Sequence, residues 1–509
     1  LAQSSLNVSL FGQLDPEPIH YAGSWAYIAP LGEEYALIGA YHGLSVISID
    51  DSTNIYQVDW VTGPSSNWRE ITVIGSHAFV VSEGGTGDVG MQVIDLSFLP
   101  DSVSQVTTFD STFGKSHIIE KDILGDPNYV YVCGSAPSAG RGVHIIDVSD
   151  PDHPREVAQY APGYAHDCHV RGDTMYVAAI YDGYLDVVDI SDKANPVRIT
   201  QLFYPNAFTH SCWTSKDNTH LFVTDEVDGL LAHIYDIRDL NNITPVATYS
   251  ANTQSLIHNC YIRGDFGFVT HNTEGLRILD LVKPDVPVEV GYYDTWAGAS
   301  GGFHGLWSAC PFFPSGKIIG ANRHDGLYVW QFNETYAGRI YGLVRDSVTG
   351  LPLSAVAIQI TQTGDSTLSR TDGSYAFGAI PAGSGGYSVT FIKSGYVSQS
   401  LNTPLNAHDS LHFVVDLVPV GFVGTTPALS DEALVFPTKC KGLLKVRSAS
   451  NFKSELLIFD VNGKLQGTWP IPGPAESHIV LDALPNGVYL FKLSGHQGLH
   501  KQGKFVLHR

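Results

Sequence analysis

Short alternating apolar runs recur along the first two-thirds of the chain, about once every 45 residues. Each run ends near an Asp and leads into a polar turn, which is typical of a strand that enters a tight corner. The runs are LSVISIDD at 44–51, MQVIDLS at 91–97, HIIDVSDPDHP at 144–154, LDVVDISDKANP at 185–196, HIYDIRDLNNITP at 233–245, LRILDLVKPDVP at 276–287 and LYVWQF at 327–332. A period of this size without helical spacing predicts the blades of a β-propeller.

A second motif recurs once in each repeat and carries a polar residue near its start. These residues are Arg69, His117, His166, His210, His258 and His304, at intervals of 48, 49, 44, 48 and 46 residues. Trp25 takes the matching place in the first repeat, so that the count of repeats is seven. Equivalent positions in a propeller lie on a circle, and the six polar residues are therefore predicted to surround the central axis.

The repeats predict a seven-bladed propeller over 1–338. Its last repeat, 299–338, lacks an outer strand, and the apolar stretch at 6–15 has the right length to supply one. A blade completed by the N-terminal strand leaves no open sheet edge, which would otherwise pair with another chain.

The repeated motifs end near Gly338, but the sequence after it remains typical of an all-β chain. Short strands joined by Gly-rich turns predict an Ig-like β-sandwich at 339–419. A Gly/Thr/Pro/Ser-rich linker is predicted at 420–432. Alternating strands predict a second small sandwich at 433–509.

Charge and hydropathy argue against nucleic-acid binding and against a membrane-spanning helix. The net charge of −22 argues against a nucleic-acid surface. No apolar run approaches the roughly 18 residues that a membrane helix needs. The chain begins at Leu1 rather than Met, from which we expect a removed export signal.

Longer motifs resemble three known families. The propeller region resembles the choice-of-anchor B family, also called LVIVD-repeat proteins, through WRE at 68–70, THSCW at 209–213, TDEVD at 224–228 and WSACPFFPSG at 307–316. TDGSYAFGAIPAG resembles the carboxypeptidase regulatory-like domain, a non-catalytic spacer. VFPT, IFDVNGK and LPNGVYLFKL resemble the C-terminal sorting domain of type IX secretion substrates from the Bacteroidota, although Phe436-Pro437-Thr438 replaces the usual Pro-Asn-Pro.

These resemblances imply export to the cell surface or the medium. We therefore expect a secreted, non-enzymatic propeller with a structural, self-assembly or binding role, such as a subunit of an extracellular filament. The alternative, from a different functional class, is a propeller, whether enzyme or binding protein, that binds a metal or other ligand through a histidine-lined channel. The sequence contains no G-x-S-x-G nucleophile elbow, no H-E-x-x-H zinc motif, no Walker loop and no dinucleotide-binding fingerprint. Their absence favours the non-enzymatic interpretation.

The ring residues allow a metal site or a purely structural role. Imidazoles that face one another across a channel can bind a divalent transition metal or an anion, or form a hydrogen-bonded belt. They can equally cap loops or satisfy backbone groups. Cys168, Cys212 and Cys260 each follow a ring histidine by two residues, and we expect them to pack between blades rather than to form disulfides.

Two further features bear on ligands and partners. Asp225, Glu226 and Asp228 form an acidic cluster that could hold Ca²⁺, or could be a solvated turn. Residues 430–509 contain ten Lys/Arg and six acids, so that this segment is +4 and the rest of the chain is −26. Opposite charges on the two parts predict self-association of a propeller with a C-terminal domain, as a homopolymer or filament.

Overall fold

The computed structural model describes residues 4–17, 19–85, 89–136, 139–381, 386–420, 433–448, 454–472, 475–495 and 498–509. Every element named within these residues is a β-strand, which confirms the all-β prediction. Contacts divide the chain into two units, Leu1–Leu417 and Val418–Arg509. The predicted linker at 420–432 lies, from residue 421 onward, outside the described residues.

Seven antiparallel sheets make up most of the first unit, and we number them 1 to 7 in chain order. Sheet 1 consists of Tyr21–Ile28 (β3), Glu34–Ala40 (β4), Gly43–Ser48 (β5) and Tyr56–Thr62 (β6). Sheet 2 consists of Arg69–Ile74 (β7), His77–Ser82 (β8), Met91–Asp95 (β9) and Ser104–Phe109 (β10). Sheet 3 consists of Ile118–Lys121 (β11), Tyr129–Cys133 (β12), Val143–Asp147 (β13) and Arg155–Tyr160 (β14). Sheets 4 and 5 consist of Asp167–Arg171 (β15), Thr174–Ala179 (β16), Tyr184–Asp189 (β17) and Val197–Phe203 (β18); and Thr209–Thr214 (β19), His220–Asp225 (β20), Ala232–Asp236 (β21) and Thr244–Tyr249 (β22).

The last two sheets each include a strand from the N-terminus. Sheets 6 and 7 consist of Cys260–Arg263 (β23), Phe266–Thr270 (β24), Leu276–Asp280 (β25), Val288–Tyr293 (β26) and Ser5–Leu6 (β1); and Leu306–Cys310 (β27), Lys317–Asn322 (β28), Gly326–Phe332 (β29) and Val8–Leu14 (β2). The strand β2 runs antiparallel to β29, with Val8 opposite Phe332 and Leu14 opposite Leu327. It is the fourth strand of sheet 7.

The seven sheets contact one another in a closed cycle. The first strands of sheets 1 to 6 contact in turn, from β3 through β7, β11, β15 and β19 to β23. The first strand of sheet 7, β27, contacts β24 of sheet 6 on one side and β3 of sheet 1 on the other. A closed cycle of antiparallel sheets, six with four strands and one with a fifth, two-residue strand, is the arrangement of a β-propeller.

Apolar side chains fill the space between consecutive sheets. In β13, Val143 and Ile145 belong to a cluster with Cys168 and Met175 of sheet 4. Ile146, which points to the opposite face because strand side chains alternate, belongs instead to a cluster with residues of sheet 2. Each sheet is therefore buried on both faces, which explains the nearly continuous apolar runs of its two central strands.

Two further sheets follow in the first unit and enclose a core of their own. One contains Ser374–Ala379 (β33), Gly338–Asp346 (β30) and Ser410–Leu417 (β36), and the other contains Ser366–Leu368 (β32), Ala357–Ile360 (β31), Tyr387–Ile392 (β34) and Gln399–Thr403 (β35). A buried ion pair joins this part to sheet 6. Arg339 Nη2 donates to Asp280 Oδ1 at 2.8 Å, and its Nε donates to the carbonyl of Val286 at 3.0 Å.

The second unit, Val418–Arg509, also consists of two sheets around one apolar core. They contain Ala433–Phe436 (β37), Leu443–Ser448 (β39) and Ala475–Val480 (β42), and Lys439–Cys440 (β38), Gly498–Leu507 (β44), Gly487–Gly495 (β43), Ser454–Asp460 (β40) and Leu465–Ile471 (β41). A turn within IFDVNGK joins β40 to β41, and Asp460 accepts hydrogen bonds there from the amides of Asn462 and Lys464.

Candidate metal centre

Four of the predicted ring histidines form a continuous arc at one end of the inner strands. His117, His166 and His258 lie just before the first strands of their sheets, and His210 is the second residue of β19. Successive ring centroids are 4.5, 4.5 and 4.3 Å apart, from His117 to His258. We call these four residues the histidine arc. All four side chains are buried, and His210 and His258 are 0% and 1% exposed.

Backbone carbonyls fix the tautomers of two of these histidines. His210 Nδ1 lies 3.1 Å from the carbonyl oxygen of His258, and His258 Nδ1 lies 2.8 Å from that of Trp307. A carbonyl accepts only from an N–H, so that each Nδ1 carries the proton and each Nε2 carries a lone pair. Both Nε2 atoms are buried and have no hydrogen-bond partner. Metal-binding histidines are oriented by this kind of contact at the non-ligating nitrogen.

Glu226 lies against the two free nitrogen atoms. Its Oε2 is 3.6 Å from His210 Nε2, and its Oε1 is 3.4 Å from His258 Nε2. Two atoms bound at about 2.1 Å to one tetrahedral ion are roughly 3.4 Å apart. The ligand atoms of His210, Glu226 and His258 all lie within 4.8 Å of one another, as do those of His117, His166 and His210. The arc thus contains two overlapping ligand sets that share His210.

The two ends of the arc differ in chemistry. At one end, His117 Nδ1 lies 2.8 Å from the carboxylate of Glu83. At the other end, the ring of Trp307 lies 4.0 Å from that of His258 and 4.6 Å from the guanidinium of Arg323. The arc therefore runs from an ion-paired histidine to a tryptophan that stacks on a cation.

Burial sets the protonation of the arc. It holds the pKa of His166, His210 and His258 well below the usual value, and neighbouring histidines add to the effect. Burial also opposes the charged form of His117, but the hydrogen bond and charge of Glu83 outweigh it, so that the pKa of His117 is raised. Burial raises the pKa of Glu226 to about 7. Near neutral pH, His210 and His258 are therefore neutral and available as ligands.

A second group of carboxyl groups lies deeper along the inner strands. Glu70 accepts a hydrogen bond from Trp307 Nε1 at 3.4 Å, and burial raises its pKa to about 8. Burial also raises the pKa of Asp167 to about 6 and that of Glu120 well above its usual value. Asp167 follows His166 and Glu120 lies three residues after His117, whereas Glu70 follows Arg69; the repeat motif alone did not single out any of the three.

Two of the predicted ring residues do not join the arc. Arg69 is buried, but its Nε donates to the carbonyl of Ala40 at 3.1 Å, and a second nitrogen donates to the carbonyl of Pro64. The following residue, Glu70, is the one that approaches Trp307. The predicted ring is therefore wrong at Arg69, because strand alternation turns its side chain away from the axis.

His304 is the second correction to the ring. It is exposed, its ring stacks on Trp296 at 4.9 Å, and its Nδ1 lies 3.1 Å from His324 Nε2. Gly305, which has a φ of +80°, separates it from β27. The residue of this repeat that contacts the arc is Trp307.

The acidic cluster does not form one calcium site. Asp225 accepts hydrogen bonds from the amide of Phe208 at 2.6 Å and from the hydroxyl of Tyr204 at 3.0 Å. Asp228 accepts one from the amide of Gly302 at 3.0 Å. Of the three, Glu226 is the one that lies against the histidine arc, whereas Asp225 lies 3.9 Å from His233, so that the three carboxylates serve three different places.

All six cysteines are buried and none forms a disulfide. Cys168, Cys212 and Cys260 belong to apolar clusters between sheets. They are packing residues, and the ligand sets of the arc include no sulfur atom.

Comparison with protein families identifies two kinds of module. The profile of the LVIVD repeat matches residues 122–161, 162–201 and 258–295. The profile of the carboxypeptidase regulatory-like domain matches residues 339–418. The LVIVD repeats and the carboxypeptidase regulatory-like domain are thereby confirmed, whereas the resemblances to the choice-of-anchor B family as a whole and to the sorting domain stay predictions. A search of curated proteins finds no match to the sequence. Among the described residues, no helix is long and apolar enough to cross a membrane.

Proposed function

We propose that this chain is an exported seven-bladed β-propeller that binds one divalent transition-metal ion in its central channel. The observation that carries the proposal is the pair of buried, unpartnered Nε2 atoms of His210 and His258 beside the carboxylate of Glu226. A buried polar atom without a partner is costly, and a metal ion would satisfy all three groups together.

The seven sheets support the blade count. Each supplies its first strand to the closed cycle, and the N-terminal strand β2 provides the fourth strand of sheet 7. The pair of sheets around a single core after Gly338, and the similar pair in Val418–Arg509, support two small Ig-like β-sandwiches.

The ligand types define the class of metal. Imidazole nitrogen and carboxylate oxygen suit zinc, iron, cobalt, nickel or copper, rather than calcium. His210 has one free nitrogen and belongs to both ligand sets, so that filling one set leaves the other incomplete. We therefore expect one ion per chain, held by three protein ligands, with open coordination positions.

Metal analysis of the purified full chain tests this proposal. We expect about one equivalent of zinc after loading and desalting, and its loss in both His258→Ala and the more conservative His258→Gln. His153→Ala is the matched control, because the His153 side chain is 82% exposed and pairs with Asp150 rather than with a residue of the arc. Circular dichroism checks that each variant folds. A folded wild-type chain that retains less than about 0.1 equivalent would contradict the proposal.

The location and assembly of the protein are proposed on separate grounds. The resemblance of 433–509 to a sorting domain supports export to the cell surface or medium, which fractionation of producing cells would test. The +4 charge of 430–509 against −26 elsewhere supports self-association into a homopolymer or filament. Removal of 430–509 should then abolish assembly in light scattering, and high salt should weaken it. Equally monomeric full-length and truncated chains would refute self-association.

A further inference from the structure

Arg323 is a buried cation with an unsatisfied donor. Its side chain follows β28, is 8% exposed and places its guanidinium 4.6 Å from the Trp307 ring and 5.9 Å from the Trp68 ring. Its Nη1 is buried without a hydrogen-bond partner. Within the described residues, no carboxylate forms an ion pair with it.

The environment of Arg323 differs from that of the other buried arginines. Arg339 forms an ion pair with Asp280 at 2.8 Å, and Arg69 donates to two backbone carbonyls. Burying a guanidinium without an anion is costly, and stacking on indole rings offsets only part of that cost. An external anion that accepts a hydrogen bond from Arg323 would offset the rest of that cost.

The position of Arg323 connects this anion to the histidine arc. Trp307 contacts both the guanidinium of Arg323 and the ring of His258. The positive charge of Arg323 also favours the ionised form of Glu226, although burial is the larger influence on that carboxyl pKa. Arg323 and His258 therefore contact the same indole ring, which places the unpaired guanidinium at the tryptophan end of the arc.

Aromatic side chains surround the same end of the sheets. Phe303 is 50% exposed and lies 6.1 Å from Trp307, whereas Tyr181 is 71% exposed and lies 5.1 Å from Tyr164. The Tyr164 ring in turn lies 6.2 Å from that of His166. Exposed aromatic rings around a polar centre favour a ligand with a flat apolar body.

We propose that the channel binds an aromatic carboxylate, with one carboxylate oxygen on Arg323 and the other on an open coordination position of the metal. The unsatisfied Nη1 donates one charge-assisted hydrogen bond to a carboxylate oxygen, and such a bond is stronger than a neutral one. The aromatic body of the ligand contacts Trp307 and Phe303. This inference rests on the proposed metal centre for its second anchor, but Arg323 provides the first anchor without it.

Calorimetric titration of the zinc-loaded full chain with benzoate, acetate and benzylamine tests the inference. We expect benzoate to bind more tightly than acetate, and benzylamine not to bind. Arg323→Gln should weaken benzoate binding about tenfold or more and leave the zinc content unchanged, whereas Arg323→Lys should retain part of the affinity. Arg263→Gln is the matched control, since Arg263 also stacks on an aromatic ring and donates to a carbonyl. Arg263 is the last residue of β23, whereas the arc residue His258 precedes that strand.

The outcomes separate the two proposals. Zinc binding without benzoate binding, or equal benzoate affinity in wild type and Arg323→Gln, would overturn the anion site and leave the metal centre intact. Benzoate binding that depends on Arg323 in a chain that retains no zinc would support the anion site and refute the metal centre. Equal affinities for benzoate and acetate would overturn the aromatic part of the proposal, and benzylamine binding would overturn the anionic part.

Discussion

Lowering the pH below 7 is expected to weaken metal binding, because a proton competes for Glu226. Burial raises the pKa of this carboxyl to about 7, so that it holds a proton in acidic solution and must lose it to bind a metal. The pKa values of His210 and His258 lie well below the usual histidine value, and these ligands stay neutral over most of the window. One proton is therefore released for each ion bound below pH 7.

The size of the effect follows from this single proton. Affinity falls toward tenfold per pH unit below the carboxyl pKa and is flat above it. Between pH 8 and pH 5.5, Kd should rise about 30-fold, which corresponds to roughly 2 kcal/mol. Glu226→Gln cannot ionise, so that its weaker binding should depend little on pH across the same range.

Competition with a metal indicator, corrected for protonation of the indicator, measures Kd at several pH values and constant ionic strength. Glu83→Gln is the control, because Glu83 contacts His117 at the other end of the arc and its pKa is lowered rather than raised. That variant should keep the pH dependence of the wild type. An equal slope in wild type and Glu226→Gln would show that Glu226 does not ligate the ion.

Three further predictions concern stability. Arg339→Ala should cost about 3–5 kcal/mol in urea unfolding because it leaves the buried Asp280 without its counter-ion, whereas Arg345→Ala, at an exposed pair, should cost about 0–1 kcal/mol; equal losses would contradict this reasoning. Burial raises the pKa of Glu70 to about 8, so metal-free wild type should lose stability relative to Glu70→Gln by about 1.4 kcal/mol per unit as the pH rises from 5 to 8; parallel urea midpoints would refute it. Deletion of 1–16 removes β2 from sheet 7 and should lower Tm and promote aggregation, and an unchanged monomer would refute the closing role of that strand.

The sequence predicted the regular strands well because each carries a repeated pattern. MQVIDLS, for example, contains β9 at Met91–Asp95, and the apolar stretch at 6–15 contains β2. The two-residue strand β1 was not predicted, since two residues show no periodicity. It pairs with sheet 6, whereas β2 pairs with sheet 7. Asn7 between them has a φ of +53°, and its side chain donates to the carbonyl of Val290 at 2.7 Å.

Only part of the site was predicted, because the position of a residue within the repeat does not fix the direction of its side chain. In WRE, the first polar residue turns away from the axis, and a Cβ at Gly63 would lie 2.4 Å from Arg69 Nη1, so that glycine makes room for it. The last repeat has Trp307 in the place of the histidine, 49 residues after His258. A small polar residue follows both His258 and Trp307, and that shared feature would have selected Trp307 over His304.

Closure of the cycle and assembly of the site are one event. The two ligand sets draw on sheets 3 to 6, and sheet 5 supplies both His210 and Glu226, so that no sheet contains a ligand set by itself. The carbonyl that fixes the His258 tautomer belongs to Trp307 in β27, and β27 belongs to the sheet that the N-terminal strand β2 completes. Loss of β2 is therefore expected to disturb the tautomer of His258 from a distance, and a propeller that fails to close should lose the proposed metal site along with its stability.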